Sequence, residues 1–192
     1  MKVTTFLTEG FETVEALAVV DILRRAKINV DTVSITGNRH VTSAQSIAVE
    51  ADTLFEEANF EDSDVLFLPG GPGHTSYLEH AGLLELIKRH YAQGKRVAAI
   101  CAAPSILGKL GLLEGKKAVC FPGFENDLKG AEVLADRVVT DGNITTSKGM
   151  GTSLDLGLEL VRLLVGQEAA RSLSDSTQYG IISITGLKNQ LD

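Results

Sequence analysis

Tryptophan is absent from this 192-residue chain, and cysteine occurs only twice. Cys101 and Cys120 are too few for the disulfide framework of a small secreted domain, so a reducing compartment, the cytoplasm, is expected. Aromatics make up 5% of residues against 44% hydrophobic in all. The core must therefore be aliphatic, as in α/β proteins whose parallel strands are covered on both faces. Positive charge is also in short supply: 18 Lys and Arg face 25 Asp and Glu, for a net charge of −7. That balance argues against nucleic acid or an anionic membrane as a partner. No apolar run approaches the ~20 residues of a membrane span. Met1-Lys2 leads into a strand pattern and not into a signal peptide. No Cys/His spacing suggests zinc, and no Gly-Lys-Ser/Thr follows a glycine loop, so neither a metal nor a cofactor is expected.

What is present is an alternation of strands and helices. Val3–Leu7 reads as a first strand, a helix starts near Thr13, and Asn29–Ile35 is a second strand, together a βαβ unit. Val41–Asp52 is a hairpin or irregular excursion, and Leu54–Ala58 has the pattern of one or two helical turns. Asp64–Leu68 is a buried strand ending in Pro69-Gly70-Gly71-Pro72-Gly73. Helical segments follow near Thr75–Glu79 and Leu83–Gln93. Arg96–Ile100 and Ala118–Phe121 read as strands, and Val138-Val139 with Ile144–Ser147 as a small hairpin about Asp141-Gly142. Ser153–Val165 is an amphipathic helix, Gln167–Ser174 a last short one, and the tail from Ser176 is expected to be irregular. Without a repeat or linker, residues 1–192 are expected to form one domain around a doubly wound, mostly parallel sheet.

Ligands of such sheets lie beyond the C-terminal ends of the strands. Three loops converge there: Thr8–Glu12, Pro69–Gly73 and Cys101–Pro104. Cys101 follows a buried strand at once and precedes a helix opened by Pro104, so it sits on a sharp strand-to-helix turn. This is a nucleophile elbow with sulfur in place of a hydroxyl. The helix N-terminus favours a thiolate, so a depressed Cys101 pKa is expected. Gly70 permits close approach, and the N–H groups of Gly71 and Ala102 can form an oxyanion hole. Glu9, Glu12 and Glu15 all lie near the first turn of the first helix, and spacing alone leaves the choice among them open. Of the histidines, His74 lies nearest the glycine loop, whereas His80 and His90 fall in a charged helical stretch and read as solvated.

Taken together, GFETVEA (10–16), VVDILRRA (19–26), VLFLPGG (65–71), VAAICAAP (97–104) and TSKGMGTS (146–153) resemble the ThiJ/PfpI superfamily, and within it the DJ-one/YajL-like branch. The resemblance implies a flavodoxin-like sandwich and a homodimer that packs through the first helix around Glu15, Asp21 and Arg25. It makes Cys101 the reactive, oxidisable thiol. It puts the family's glutamate, which donates a hydrogen bond to that Cys, on Glu12, the Glu of the E-T-V triplet. Gly149 and Met150 would wall the pocket, with Phe121 where some relatives carry histidine. Ala102 stands where the protease-like branch has histidine, which argues against a peptidase or an amidotransferase. Two activities are implied. One is glyoxalase- or deglycase-like action of Cys101 on reactive dicarbonyls or their glycated adducts. The other is a redox sensor or redox-regulated chaperone in which Cys101 is oxidised. Cys120 lies near the pocket rim: alternation along Ala118–Phe121 turns it into the core, and the alternative is a resolving thiol.

Overall fold

The computed structural model describes residues 1–180. Its strands are β1 (Lys2–Leu7), β2 (Asn29–Ser34), β3 (His40–Thr42), β4 (Ala48–Glu50), β5 (Thr53–Leu54), β6 (Val65–Leu68), β7 (Arg96–Ile100), β8 (Lys117–Ala118), β9 (Glu132–Val133), β10 (Val138–Asp141) and β11 (Ile144–Ser147). The α-helices are α1 (Thr13–Arg25), α2 (Ser76–Glu79), α3 (Ala81–Ala92), α4 (Pro104–Lys109), α5 (Ser153–Leu164) and α6 (Gln167–Ser176). Seven strands form the main sheet in the order β10-β11-β7-β6-β1-β2-β5. All its pairings are parallel except that of β10 with β11. This is the flavodoxin-like arrangement expected from the alternation of elements.

Side-chain alternation along the strands splits the core into two layers. Leu66, Leu68, Val97 and Ala99 face one way, against Leu83, Ile87, Ile106 and Leu107 of α3 and α4. Val65, Phe67, Ala98 and Ile100 face the other, against α1 and α5. On that second side Gly157 lets α5 approach closely: a Cβ there would lie 2.9 Å from the Ile22 Cβ of α1. The tight helix pair holds α1 and α5 together on that face of the sheet.

Three sequence expectations change. Thr53–Leu54 is an edge strand and not the start of a helical turn. Asp52 accepts the Thr32 N–H and hydroxyl, each at 2.8 Å, which seats the segment beside β2. Within 118–121 only Ala118 stays in a strand, because the chain then crosses over the elbow. There Val119 N–H donates to Thr146 Oγ1 at 2.9 Å, and Phe121 N–H to the Cys101 carbonyl at 2.8 Å. His90 is buried, not solvated, with Nε2 3.1 Å from the Arg96 carbonyl. His80 instead caps α3 through Leu83 N–H and packs edge-on against Phe55. β10 and β11 form the antiparallel hairpin, and α6 runs on to Ser176. The rest of the expected irregular tail, from residue 181, lies outside the described residues. No described helix is long and apolar enough to cross a membrane.

Candidate active site

The site is assembled where β1, β6 and β7 end. Cys101 follows β7 directly and takes φ 65°, a left-handed conformation that side chains disfavour. Its N–H donates to the Ser147 carbonyl at 3.0 Å. The N–H groups of Gly71 and Ala102 face the sulfur and favour its thiolate. Gly71 adopts φ 99°, and a Cβ on it would lie 2.4 Å from Glu12 N, so glycine is required for the loops to mesh.

The carboxyl beside the sulfur is Glu15, and the assignment to Glu12 is corrected. Glu15 is 1% exposed, bonds the Cys101 side chain and accepts the Gly70 N–H at 3.0 Å. Glu12 is the N-cap of α1 and accepts the Glu15 N–H at 2.7 Å. Its own N–H donates to the Gly70 carbonyl at 2.9 Å. Glu12 therefore positions the helix start, and Glu15, one turn on, reaches the thiol. Glu15 was also expected in a dimer contact, which its burial rules out. Asp21 and Arg25 do lie on the exposed side of α1, paired at 2.6 Å.

Gly70, Gly149 and Phe121 gather around this pair. A Cβ on Gly70 would lie 2.6 Å from the Cys101 Cβ, and one on Gly149 would lie 3.2 Å from the Phe121 ring and 3.8 Å from Glu15 Oε1. Met150 exposes its side chain but turns its N–H to Glu15. His74 is otherwise engaged: Nδ1 lies 2.9 Å from the Gly71 carbonyl and the ring meets Phe124 edge-on. Cys120 does not face Cys101. The two backbones touch through Phe121, but Cys120 packs in the α3–α4 layer and Cys101 against the α1–α5 layer. That placement favours a packing role for Cys120 over a resolving one. Both cysteines are free, and burial pushes Cys120 up to about 11.

Burial raises the Glu15 pKa to about 7, the neighbouring Glu12 carboxylate adding to the rise. Burial and the Glu15 carboxylate push the Cys101 thiol up to about 12, against the pull of the Gly71 and Ala102 amides. The expected depression is therefore not found while Glu15 is ionised. The two groups act as a unit: one proton leaves the pair near neutrality and the second far above it. With a single proton between them, a protonated Glu15 can donate to a thiolate. Among the described residues no cluster of His, Cys, Asp and Glu could hold a metal.

These groups define an α/β protein with a cysteine nucleophile elbow and a carboxyl partner. The DJ-1/PfpI family model matches residues 1–163, and the chain belongs to that family. It is 35% identical over 173 residues to the Arabidopsis thaliana protein DJ-1 homolog B, covering 89% of this chain and 40% of that one. The chain thus spans less than half the length of that relative. Among solved structures it is similar to a DJ-1 superfamily protein from Salmonella typhimurium, with 34% identity, TM-score 0.88 and coverage of 93% and 98% of the two chains. It is also similar to oxidised DJ-1 of Toxoplasma gondii, with 33% identity, TM-score 0.89 and the same coverages.

The titration of Glu15 bears on stability. Its folded pKa lies above the ordinary carboxyl value of 4.5, so its contribution is full below about 4.5 and is lost as pH rises through about 7. His90 runs the other way. Burial lowers it from 6.5 to about 4, so its contribution is present above about 6.5 and is lost as pH falls towards 4. The two oppose each other between those values. Urea midpoints of Glu15→Gln are expected to exceed those of wild type at about pH 8 and to fall more steeply on acidification. Parallel profiles for the two proteins would contradict the raised carboxyl.

Proposed function

We propose that the protein is a cysteine-dependent stress-response enzyme of the cytoplasm that consumes small reactive dicarbonyls or their adducts. One observation carries this reading: Glu15 is buried against Cys101, and burial raises its pKa to about 7, so it can both give and take a proton at neutral pH. His74 Nδ1 meets the Gly71 carbonyl, His80 caps α3 and His90 Nε2 meets the Arg96 carbonyl, whereas Glu15 is the group set against the sulfur.

The Cys101 sulfur adds to the aldehyde carbon, and the new C–S bond sends the carbonyl π pair to oxygen, which takes the Glu15 proton. The Gly71 and Ala102 amides lie beside the developing charge. The Glu15 carboxylate then takes the C–H proton of the former aldehyde carbon and returns it to the neighbouring carbonyl carbon, while the hydroxyl proton passes to that carbon's oxygen. That leaves a 2-hydroxyacyl thioester. Water hydrolyses it to a hydroxy acid and restores the thiol, so the sum is addition of one water and needs no oxidant. Steady-state consumption of methylglyoxal tests the reading. Wild type should turn over and Cys101→Ser should not. Equal rates for the two would remove it.

A second reading, a redox sensor or redox-regulated chaperone, has support from the oxidised Toxoplasma relative and from the amides around the sulfur, which suit sulfinate oxygens as well. Stoichiometric peroxide should convert Cys101 to sulfenic and then sulfinic acid while Cys120 stays a thiol. A Cys101–Cys120 disulfide in non-reducing peptide maps would contradict the placement of Cys120 in the opposite layer. We also propose a homodimer through the outward face of α1, where Val14, Asp21 and Arg25 are exposed. Light scattering should give twice the chain mass at micromolar concentration, and a monomer would remove the contact.

A further inference from the structure

Three groups face the Glu15 carboxyl: the Cys101 thiol, the Gly70 N–H, which it accepts at 3.0 Å, and the Met150 N–H, in a turn where a Cβ on Gly149 would lie 3.8 Å from Oε1. The first two are held by the sheet and its loops. The third comes from an exposed turn, in which Gly149 and Gly151 flank Met150 and the Met150 side chain is 56% exposed. A turn of that composition holds no fixed direction by itself. Its direction is set by Thr152, which is 6% exposed. The Thr152 Oγ1 accepts the Gly149 N–H at 3.1 Å and lies 2.9 Å from the Gly149 carbonyl and 2.6 Å from Ser147 Oγ. Ser147 ends β11, and its carbonyl receives the Cys101 N–H at 3.0 Å. One hydroxyl pair thus joins the elbow under the sulfur to the turn that bonds the carboxyl. Arg137 clamps the turn from outside, donating Nη2 to the Gly151 carbonyl at 2.7 Å while bonding Asp155 at 2.7 Å.

We infer that Thr152 is a positioning residue for the Glu15–Cys101 pair, acting through the Gly149–Thr152 turn and the Met150 N–H, with Arg137 as its outer support. The inference rests on that pair being the reactive one, but not on any substrate. A bond to the carboxylate form holds that form, so losing it moves proton release to higher pH.

The experiment reads Cys101 alkylation by iodoacetamide against pH, with mass spectrometry at each cysteine and thermal unfolding in parallel. Thr152→Val keeps the shape and deletes the hydroxyl. It is expected to raise the midpoint by about half a pH unit or more, while Thr152→Ser stays at the wild-type midpoint. Arg137→Lys keeps the charge but not the fork of donors and is expected to shift the same way by less. A folded Thr152→Val protein with the wild-type midpoint overturns the inference. Should that variant not fold, Arg137→Lys decides: its side chain is 61% exposed in the Asp155 pair, so it should fold, and an unmoved midpoint overturns the inference equally. A wild-type protein that consumes no methylglyoxal while Thr152→Val still shifts the midpoint removes the proposed activity and leaves the positioning role standing.

Discussion

Replacing Glu15 by Gln is expected to lower kcat/KM for methylglyoxal by about 10²–10⁴-fold, the range spanned by a positioned acid or base. Gln keeps the size and a donor for the sulfur, so the loss reports proton transfer and not collapse of the site. Glu12→Gln, three residues away, should stay near wild type, because an amide oxygen can still accept the Glu15 N–H. Glu12→Ala should instead cost about 1 kcal/mol of stability, as other lost caps do. Steady-state kinetics with urea unfolding on all three variants separates the roles. Full turnover in Glu15→Gln with loss in Glu12→Gln would reverse the assignment.

Gly70→Ala is expected to be nearly as damaging, and for a steric reason. The added Cβ would sit 2.6 Å from Cys101 Cβ, 2.7 Å from Glu15 Oε2 and 2.9 Å from the Ile100 carbonyl. Retreat of the loop would break the Gly70 N–H bond to Glu15, and retreat of the elbow would move the sulfur. Misplacing reacting groups by about 1 Å costs on the order of 10²-fold in rate. Gly149→Ala is the graded comparison, since its nearest neighbour is the 3.2 Å edge of the Phe121 ring, a side chain that is half exposed and can turn aside. Turnover and Cys101 labelling should therefore fall sharply in the first variant and mildly in the second. Similar values in both would show that the meshing of the Gly70 loop with the elbow is not what holds the pair.

The sheet was legible because its signals are local: short aliphatic runs, a glycine loop after β6 and a proline opening α4. The elbow at Cys101 was legible for the same reason. The choice of carboxyl was not, since matching a tripeptide motif says nothing about which face of a helix is buried. The information lay in the helix itself. Glu15 falls on the stripe of Ala16, Val19, Ile22 and Leu23, all buried, whereas Glu12 precedes the first turn. A carboxyl on an apolar stripe is the one withdrawn from water. The thiol pKa was not legible because sequence places a carboxyl beside the sulfur but does not say which of the two holds the proton once burial acts on both. Cys120 was left between core packing and a resolving role, because only the packed layers show on which side of the sheet its side chain falls. Thr152 went unnoticed because its partners, Gly149 and Ser147, matter only once the turn folds back over Glu15.

The left-handed backbone at Cys101 has a consequence for drift. Any residue with a side chain is strained there by roughly 1–2 kcal/mol, and glycine alone escapes. Cys101→Gly should therefore melt higher than Cys101→Ala. Folding by itself would replace this cysteine, so a copy of the gene released from its task gains stability by discarding the sulfur. The thiol at this position is a record of use, written where the backbone by itself favours glycine.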